Sequence, residues 1–462
     1  MSNVGLFKKK NTGAIKIRKA KLSPTQIIPL VFMGIILLGT VLLSLPIAAR
    51  NGRSCGLIPA LFTATSATCV TGLSLFDTYT QWSGFGQTVI LCLIEIGGLG
   101  FMSAASLIVF LLRKRVGLRQ RMLIAQALSL DEMEGVVHLQ KWVLTGSLLI
   151  QSAGMLILTL RFLPEYGLRQ SLIWGVFHSV SAFCNAGFDI FGAVQPDSSI
   201  SLFSGDPVVC LTLMALIVIG GLGFFVWEEV ATVRKFKKFS VYTKLVLITT
   251  GVLLLGFTLV YLILEWNNPQ TIGNMPVWQK VMNGLFQSVT IRTAGFFSFS
   301  QGGMTEGAKA VSVLGMLIGG SAGSTAGGIK TVTFLLLILS LVANARGKST
   351  VNIFKRTIPE SKITDAMTIA SLMIGLTFVG AIIITVTSPV SFIDALFEAA
   401  SALATVGLTA GVTTSLSLVA QLMIIVFMFF GRVGILTISL GFLMGNRAEE
   451  RYHYASTNIL IG

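Results

Sequence analysis

The stretch FTATSATCVTG at residues 62–72 ends on a glycine, and three later stretches repeat its pattern. They read FHSVSAFCNAG at 177–187, FQSVTIRTAG at 286–295 and FEAASALATVG at 397–407. Their final glycines recur at nearly equal intervals along the chain, which indicates one repeating unit present four times. Each stretch is too short to cross a bilayer and lies between two apolar runs that are long enough. The pattern therefore predicts four hairpins that enter a membrane without crossing it, each carrying a fixed glycine.

The composition is that of a membrane protein. Of the 462 residues, 53% are hydrophobic and 11% are charged, whereas a soluble domain is about 25% charged. The net charge of +15 comes from basic clusters between the hydrophobic pairs, at residues 8–21, 113–121, 234–238 and 346–362. Under the positive-inside rule these clusters and both termini are cytoplasmic. The clusters lack interleaved aromatic residues, which argues against a nucleic-acid partner; the N-terminal run is suited to contact with anionic lipid of the bilayer.

The chain divides into four copies of helix, re-entrant pore segment and helix. We predict an all-α polytopic membrane protein whose four repeats stand in a pseudo-fourfold arrangement around one central pore. The repeats span residues 26–112, 139–229, 240–343 and 363–445, between a basic N-terminal segment, 1–25, and a cytoplasmic tail, 446–462. Eight long helices cross the bilayer in this scheme. We expect the tail, with its apolar sequence NILIG, to pack at a subunit interface.

A second glycine motif recurs in register with the first. Gly97-Gly98-Leu99-Gly100 follows the pore segment of the first copy, and its counterparts begin at Gly220, Gly319 and Gly431. The separation between the pore glycine and this motif is nearly constant in the first, third and fourth copies. It is longer in the second copy, which carries the polar insert 195–207. Two motifs in register make the repeat a property of the whole chain.

The pore segments predict a path for a cation. Irregular backbone at membrane depth is tolerated where it is buried in protein or faces a water-filled cavity, so four such segments imply one shared pathway. Carbonyl oxygens can replace the hydration shell of K⁺, and glycine reaches the left-handed angles that turn successive carbonyls inward. Each short helix also points a C-terminal end of roughly −0.5 charge at the pathway. Glycines that serve only helix packing are the alternative.

Three residues from each segment form the predicted selectivity filter. They are Val70, Thr71, Gly72, Asn185, Ala186, Gly187, Thr293, Ala294, Gly295, Thr405, Val406 and Gly407. The sequence TVGYG is absent, so a single layer of shared carbonyls is predicted rather than a long filter with several sites. No metal site other than these carbonyls is expected, because the cysteines and histidines lack ligand spacing.

The segments ATSATCVTGL, SVSAFCNAGFDIF, SVTIRTAGFF and SALATVGLT, together with GGLGF and GRVG, resemble the KtrB/TrkH family of K⁺-translocating subunits. The short soluble loops make the chain more similar to the KtrB branch. The resemblance implies a homodimer in a bacterial plasma membrane that conducts K⁺, with Na⁺ as a possible activator. It also implies gating by a cytoplasmic ring of RCK subunits of the KtrA type, which carry the nucleotide, ATP or ADP. The third segment departs from the pattern because it has one residue fewer between its phenylalanine and its glycine.

The third copy contains the stretch GMLIGGSAGSTAGGIKT at residues 315–331. Each glycine costs a helix up to about 1 kcal/mol relative to alanine, so a break in the helix below the filter is predicted. The resemblance implies an intramembrane loop that obstructs the pore and moves on opening. The predicted gate residues are Gly319, Gly320, Ser321, Ala322, Gly323, Ser324, Thr325, Ala326, Gly327, Gly328 and Arg432. Glycines that only permit close helix packing remain the alternative.

Two patterns in this stretch imitate enzyme motifs. Gly319–Gly323 matches GxSxG, but no predicted strand precedes it and no histidine or aspartate partners are evident. The run 323–331 imitates a phosphate-binding loop, but an isoleucine separates its last glycine from Lys330. No catalytic residue and no covalent cofactor are therefore predicted.

Arg432 replaces the second glycine of the second motif, within an apolar helix. A charge at that depth costs about 2.5–3.5 kcal/mol, so we expect it to face the pathway as a positive barrier in contact with the loop, or to form a buried pair. Arg292 lies three residues before Gly295, where a pore-facing cation would repel K⁺. We expect it to support the filter from behind, against Glu398 or Asp189.

Three further acids follow or adjoin the motifs. Asp77 and Asp189 either enrich cations at the outer mouth or are solvated loop residues. Glu95 is expected to be a buried partner for a basic residue or, less favoured, a proton-coupling group. The competing function is a secondary transporter that couples K⁺ to Na⁺ or H⁺, although such folds usually show paired repeats.

Overall fold

Helices account for nearly all regular structure in the computed structural model, which describes residues 24–100, 136–348 and 350–434. One short antiparallel hairpin, β1 (Asn352–Ile353) and β2 (Arg356–Thr357), is present in these ranges. The basic N-terminal run, the basic cluster 113–121 and the tail 446–462 lie outside the described residues.

Each copy contains an outer helix, a short pore helix and an inner helix. In the first copy these are α1 (Pro24–Ser44), α2 (Leu57–Thr68) and α4 (Gly84–Leu99), with one turn, α3 (Thr78–Gln81), before the last. In the second copy α5 (Val136–Phe183) supplies both the outer and the pore helix, because it bends at Gly167, where φ is 71°. Its inner helix is α6 (Pro207–Leu222) followed by α7 (Phe224–Val233).

The third and fourth copies follow the same order. The third has α8 (Val241–Glu265), α9 (Val277–Thr290), α10 (Glu306–Leu317) and α11 (Thr331–Ala345). The fourth has α12 (Glu360–Thr387), α13 (Phe392–Leu403) and α14 (Leu418–Val433).

The four copies close into a ring. Each inner helix packs against the pore helix of the next copy: α4 against α5, α6 against α9, and α10 against α13. The fourth inner helix, α14, packs against α2 of the first copy, which completes the circle. The predicted all-α arrangement with fourfold pseudosymmetry is confirmed.

Every inner helix ends at the second glycine motif, whereas the sequence predicted a break in the third copy alone. Gly100, Gly223 and Gly434 have φ of 81°, 94° and 93° and follow the last residues of α4, α6 and α14. A positive φ leaves the helical region, and glycine reaches it at little cost. In the second copy the chain resumes as α7 at 97° to α6. The inner helix predicted for the second copy, in the repeat that ends at residue 229, is therefore two helices and not one.

Four described helices are long and apolar enough to cross a bilayer. They are Gln26–Ser44, Gln140–Phe183, Val241–Glu265 and Glu360–Thr387. The bent pair α6 and α7 adds a fifth if it counts as one span. The 16 residues of α4 and of α14 extend only about 24 Å, less than a hydrocarbon core of about 30 Å. Eight crossings thus remain a prediction.

Candidate ion pathway

The four pore segments share one unusual backbone path. After each pore helix, the residue two before the glycine is left-handed: φ is 56° at Val70, 60° at Asn185, 68° at Thr293 and 54° at Thr405. Residues other than glycine rarely adopt positive φ, so four such residues at one position mark a shared, constrained turn. The glycines themselves have φ from 69° at Gly187 to 100° at Gly72.

The four glycines lie next to one another in a ring. A Cβ atom built on Gly72 would lie 3.2 Å from Cα of Gly187, and one on Gly187 would lie 2.7 Å from Cα of Gly295. The ring continues with 3.4 Å from Gly295 to Gly407 and 2.9 Å from Gly407 to Gly72. No side chain fits between these backbones. The sequence prediction that the four glycines meet at one point agrees with this geometry.

Carbonyl oxygens border the same ring. The Cβ built on Gly72 would lie 2.5 Å from the oxygen of Ala186, and that on Gly295 would lie 2.8 Å from the oxygen of Val406. Each glycine therefore lies against the carbonyl that precedes the glycine of a neighbouring copy. Carbonyl oxygens from all four copies, those of Thr71, Ala186, Ala294 and Val406, therefore border the ring.

Side-chain hydroxyls hold the turns in two equivalent ways. Ser66 and Ser401, each six residues before its glycine, accept hydrogen bonds from Gly72 N and Gly407 N at 3.1 Å. Ser181 of the second copy donates to Phe188 O at 2.6 Å. These hydroxyls fix the turn by bonding to its backbone.

The third copy absorbs its missing residue at the end of α9. Ala294 N donates to Thr290 O, four residues back, whereas the corresponding amides of the other copies donate five residues back. Thr290 Oγ1 donates to Phe296 O at 2.5 Å and so replaces the serine. Phe286 is fully buried, as Phe62 and Phe397 are.

On one side of the ring lies a vestibule of about 440 Å³, lined by all four glycines and by Asp77, Asp189 and Asp197. Asp77 accepts from Thr80 N at 2.8 Å and from Asp197 N at 3.2 Å, so it also fixes the loop. Asp197 lies in the polar insert, outside the spanning helices. Burial, and secondarily the charge of Asp77, raises the pKa of Asp197.

On the other side lies the chain between α10 and α11, residues 318–330, which we term the gate loop. A Cβ on Gly327 would collide with Oγ1 of the filter residue Thr405. The loop rests on the break of the second copy: Phe224 N donates to Gly323 O at 2.8 Å, and Ser321 N donates to Gly221 O at 3.0 Å. The predicted break in this helix is therefore present, and it lies against Thr405 of the fourth pore segment.

Arg432 reaches the gate loop. Its guanidinium donates to Thr325 O in the loop and to Gly97 O and, at 3.0 Å, Gly98 O in the first inner helix. All three acceptors are backbone carbonyls, and none of the three ion pairs among the described residues includes this arginine. The expected contact with the loop is formed, and among the described residues no carboxylate pairs with Arg432.

The two predicted filter supports do not pair with each other. Arg292 is 7% exposed and donates to Thr331 Oγ1 at 3.1 Å and to Gly319 O at 3.4 Å, so its expected contact with Glu398 or Asp189 is wrong. Glu398 is fully buried and accepts from Thr413 Oγ1, which lies beyond the fourth filter glycine.

Among the described residues, the partners of Glu95 are neutral, and the expected basic partner is not found there. It accepts from Gln151 Nε2 at 3.0 Å and from Cys184 Sγ at 3.3 Å.

Several residues that contribute to this geometry were not among the predicted site residues. Gly97, Gly220 and Gly431 lie so close to Thr68 O, Phe183 O and Leu403 O that a side chain there would overlap the last carbonyl of the pore helix. Lys330, set aside as part of a false phosphate-binding motif, donates to Ala326 O at 2.7 Å within the gate loop. The sequence did contain a signal for the glycines, because they recur in register with Gly72, Gly187 and Gly407. It contained no signal for the lysine.

Comparisons with known proteins show which family this sequence matches. The TrkH family model, described as a cation transport protein, matches residues 23–450. Ktr system potassium uptake protein B of Bacillus subtilis is 42% identical over 94% of this chain and 96% of its own. Potassium/sodium uptake protein NtpJ of Enterococcus hirae is 38% identical over 97% of this chain and 99% of its own.

A solved structure has the same fold. The crystal structure of the potassium transporter TrkH from Vibrio parahaemolyticus matches with a TM-score of 0.69 at 19% identity, over 93% of this chain and 86% of that one. The family match covers nearly all of the sequence and includes every segment of the pathway described above. The chain belongs to the TrkH family of cation transport proteins.

Proposed function

We propose that this chain is the K⁺-translocating subunit of a bacterial Ktr-type uptake system, working as a channel-like pore rather than as an enzyme. The observation that carries the proposal is the ring of four glycines with carbonyl oxygens from neighbouring copies against it. Carbonyls in such a ring replace the hydration shell of a cation without a fixed charge that would hold it too tightly. The names of the relatives from Bacillus subtilis and Enterococcus hirae, which are potassium uptake proteins, support K⁺ as the ion.

The gate loop and Arg432 are proposed to close the pathway. The loop lies against Thr405 on one side of the filter, and the arginine joins it to the first inner helix. Its positive charge next to the pathway opposes entry of a cation. Opening then requires that the loop leave Arg432 and the break between α6 and α7.

Control from the cytoplasm completes the proposal. The word "system" in the relatives' names supports a second component, for which we propose a ring of nucleotide-binding RCK subunits of the KtrA type. The nucleotide binds that ring, and this chain acts as a homodimer in the plasma membrane with both termini in the cytoplasm. Na⁺ is proposed as an activator, which the name of the Enterococcus hirae relative supports.

Uptake of ⁸⁶Rb⁺ into a K⁺-uptake-deficient bacterium tests the filter. Gly295→Ser is compared with wild type and with Gly251→Ser, whose built Cβ has nothing within 4 Å. We expect the first variant to lose affinity and selectivity for K⁺ and the control to keep both. An unchanged affinity and selectivity in Gly295→Ser would contradict the proposed filter.

Coupled transport of K⁺ with Na⁺ or H⁺ is the second candidate, favoured by the discontinuous inner helices, such as the 97° bend between α6 and α7. Proteoliposomes distinguish the two. Flux that follows voltage alone supports the pore, whereas flux that follows an imposed Na⁺ or pH gradient at zero voltage supports coupling.

A further inference from the structure

The position three residues before the filter glycine differs among the copies. It is Cys69 in the first, Cys184 in the second, Arg292 in the third and Ala404 in the fourth. All four side chains are buried. Only the third copy places a long cationic side chain there, and this is the copy whose inner helix is interrupted by the gate loop.

Arg292 contacts the two ends of the gate loop. Its Nη2 donates to Thr331 Oγ1 at 3.1 Å, where α11 begins, and to Gly319 O at 3.4 Å, just after α10 ends. Thr331 Oγ1 itself donates to Gly319 O at 3.1 Å, so the three groups form a closed triangle.

Backbone hydrogen bonds hold the same two ends together. Gly319 N donates to Ile329 O, Ile329 N to Leu317 O, and Thr331 N to Gly320 O, each at 2.9 Å. We call residues 317–320 with 329–331 the neck of the gate loop. The next residue after Arg292 in the chain, Thr293, is the first of the predicted filter triplet.

The guanidinium depends on this neck for its hydrogen bonds. Arg292 is 7% exposed, and none of the three ion pairs among the described residues includes it. Its Nε has no hydrogen-bond partner in the described part of the chain. A buried charge that loses its acceptors is strongly disfavoured, so a neck that shifted away would draw the arginine, and with it the backbone at Thr293, out of place.

We propose that Arg292 is a positioning residue that couples the gate loop to the third filter segment, so that the state of the gate alters ion selectivity. The inference rests on the proposed function. It makes the third copy mechanically distinct from the other three. The alternative is a gate that only blocks the pathway. Such a gate would change the total flux but leave the filter unaltered, so the preference for K⁺ over Na⁺ would not depend on the state of the gate.

The test measures ⁸⁶Rb⁺ and ²²Na⁺ flux in liposomes that contain this chain alone. Arg292→Gln and Thr331→Val each remove one side of the contact, and Arg292→Lys and Thr331→Ser are the conservative variants. Thr333→Val, two residues further along α11 and without a hydrogen bond to Arg292, is the matched control. Size-exclusion profiles establish that each variant is folded. If Arg292→Gln does not fold, Thr331→Val and Thr331→Ser still test the contact.

We expect Arg292→Gln and Thr331→Val each to change both the total flux and the Rb⁺/Na⁺ ratio, by roughly 2- to 30-fold. Because both remove the same contact, the double variant should change them no further than either single variant. Arg292→Lys and Thr331→Ser should restore most of the wild-type ratio. Three results would overturn the coupling. The variants could match Thr333→Val in both total flux and Rb⁺/Na⁺ ratio, they could change the flux or the ratio but not both, or the double variant could show the sum of the two single effects.

The outcome is separable from that of the proposed function. If wild type shows no preference for Rb⁺ over Na⁺, the filter proposal fails. If wild type is selective and Gly295→Ser is not, while Arg292→Gln and Thr331→Val match the control, only the coupling fails.

Discussion

Replacing Gly72 by alanine tests whether the ring of glycines sets selectivity. The φ of Gly72 is 100°, and a left-handed alanine costs roughly 1–2 kcal/mol. The new Cβ would lie 2.5 Å from Ala186 O, whereas real Cβ atoms stay at least 3.0 Å from such atoms, so in this close-packed ring the carbonyl must move by about 0.5 Å. At Gly295 the corresponding contact is 2.8 Å, so its neighbouring carbonyl needs to move less.

These shifts predict graded losses. A misplacement of 1 Å can cost about 100-fold in a positioned site, so the shift of about 0.5 Å at Gly72 corresponds to roughly tenfold and that of about 0.2 Å at Gly295 to roughly twofold to threefold. We therefore expect Gly72→Ala to lower the Rb⁺/Na⁺ flux ratio about tenfold and Gly295→Ala by less. Gly251→Ala, with open space around its Cβ and a helical backbone, should match wild type.

The assay is paired ⁸⁶Rb⁺ and ²²Na⁺ flux into proteoliposomes, with protein amounts matched by quantitative immunoblot. The reasoning is refuted if Gly72→Ala keeps the wild-type ratio. It is also refuted if Gly295→Ala is the more severely affected, because the ranking follows directly from the two distances.

Three further predictions concern the gate, the vestibule and the filter turns. Arg432→Gln loses bonds to three carbonyl oxygens, so Rb⁺ flux of the chain alone should rise; unchanged flux would contradict the gate role. Burial and Asp77 raise the pKa of Asp197, so its carboxylate is neutralised earlier as the pH falls. Uptake at low K⁺ should therefore decline on acidification, and Asp197→Asn should flatten that pH profile. Ser401→Ala removes a bond to Gly407 N and should lower the free energy of unfolding by about 0.5–1.5 kcal/mol in thermal melts, with no change counting against it.

The repeat and the ring of four glycines were predictable because their regular spacing is visible in the sequence. Gly72, Gly187, Gly295 and Gly407 are the same residue type at nearly equal intervals, and only glycine tolerates the crowded ring. The left-handed residues two positions earlier, such as Val70, were not predictable. A valine carries no preference for positive φ, so the tertiary fold imposes that conformation.

The contacts of the buried charges lay beyond the sequence for another reason. Arg292 was expected beside a carboxylate because opposite charges usually pair, yet its acceptors are a hydroxyl and a backbone carbonyl. Backbone carbonyls lose their helical partners where a helix ends or is interrupted, and the path of the gate loop back past Arg292 is a tertiary feature. The breaks at Gly100, Gly223 and Gly434 coincide with the recurrent glycine motif, whose spacing indicates register but does not by itself mark a helix end.

The ring in which α14 of the last copy packs against α2 of the first has a consequence for how the pathway can vary. A pore assembled from four identical subunits receives every substitution four times, so each change is imposed on the entire circumference. Here one polypeptide supplies the whole circumference, and a substitution alters a single quadrant. Cys69, Cys184, Arg292 and Ala404 can therefore occupy equivalent places, and an arginine that would be intolerable in quadruplicate is accommodated once.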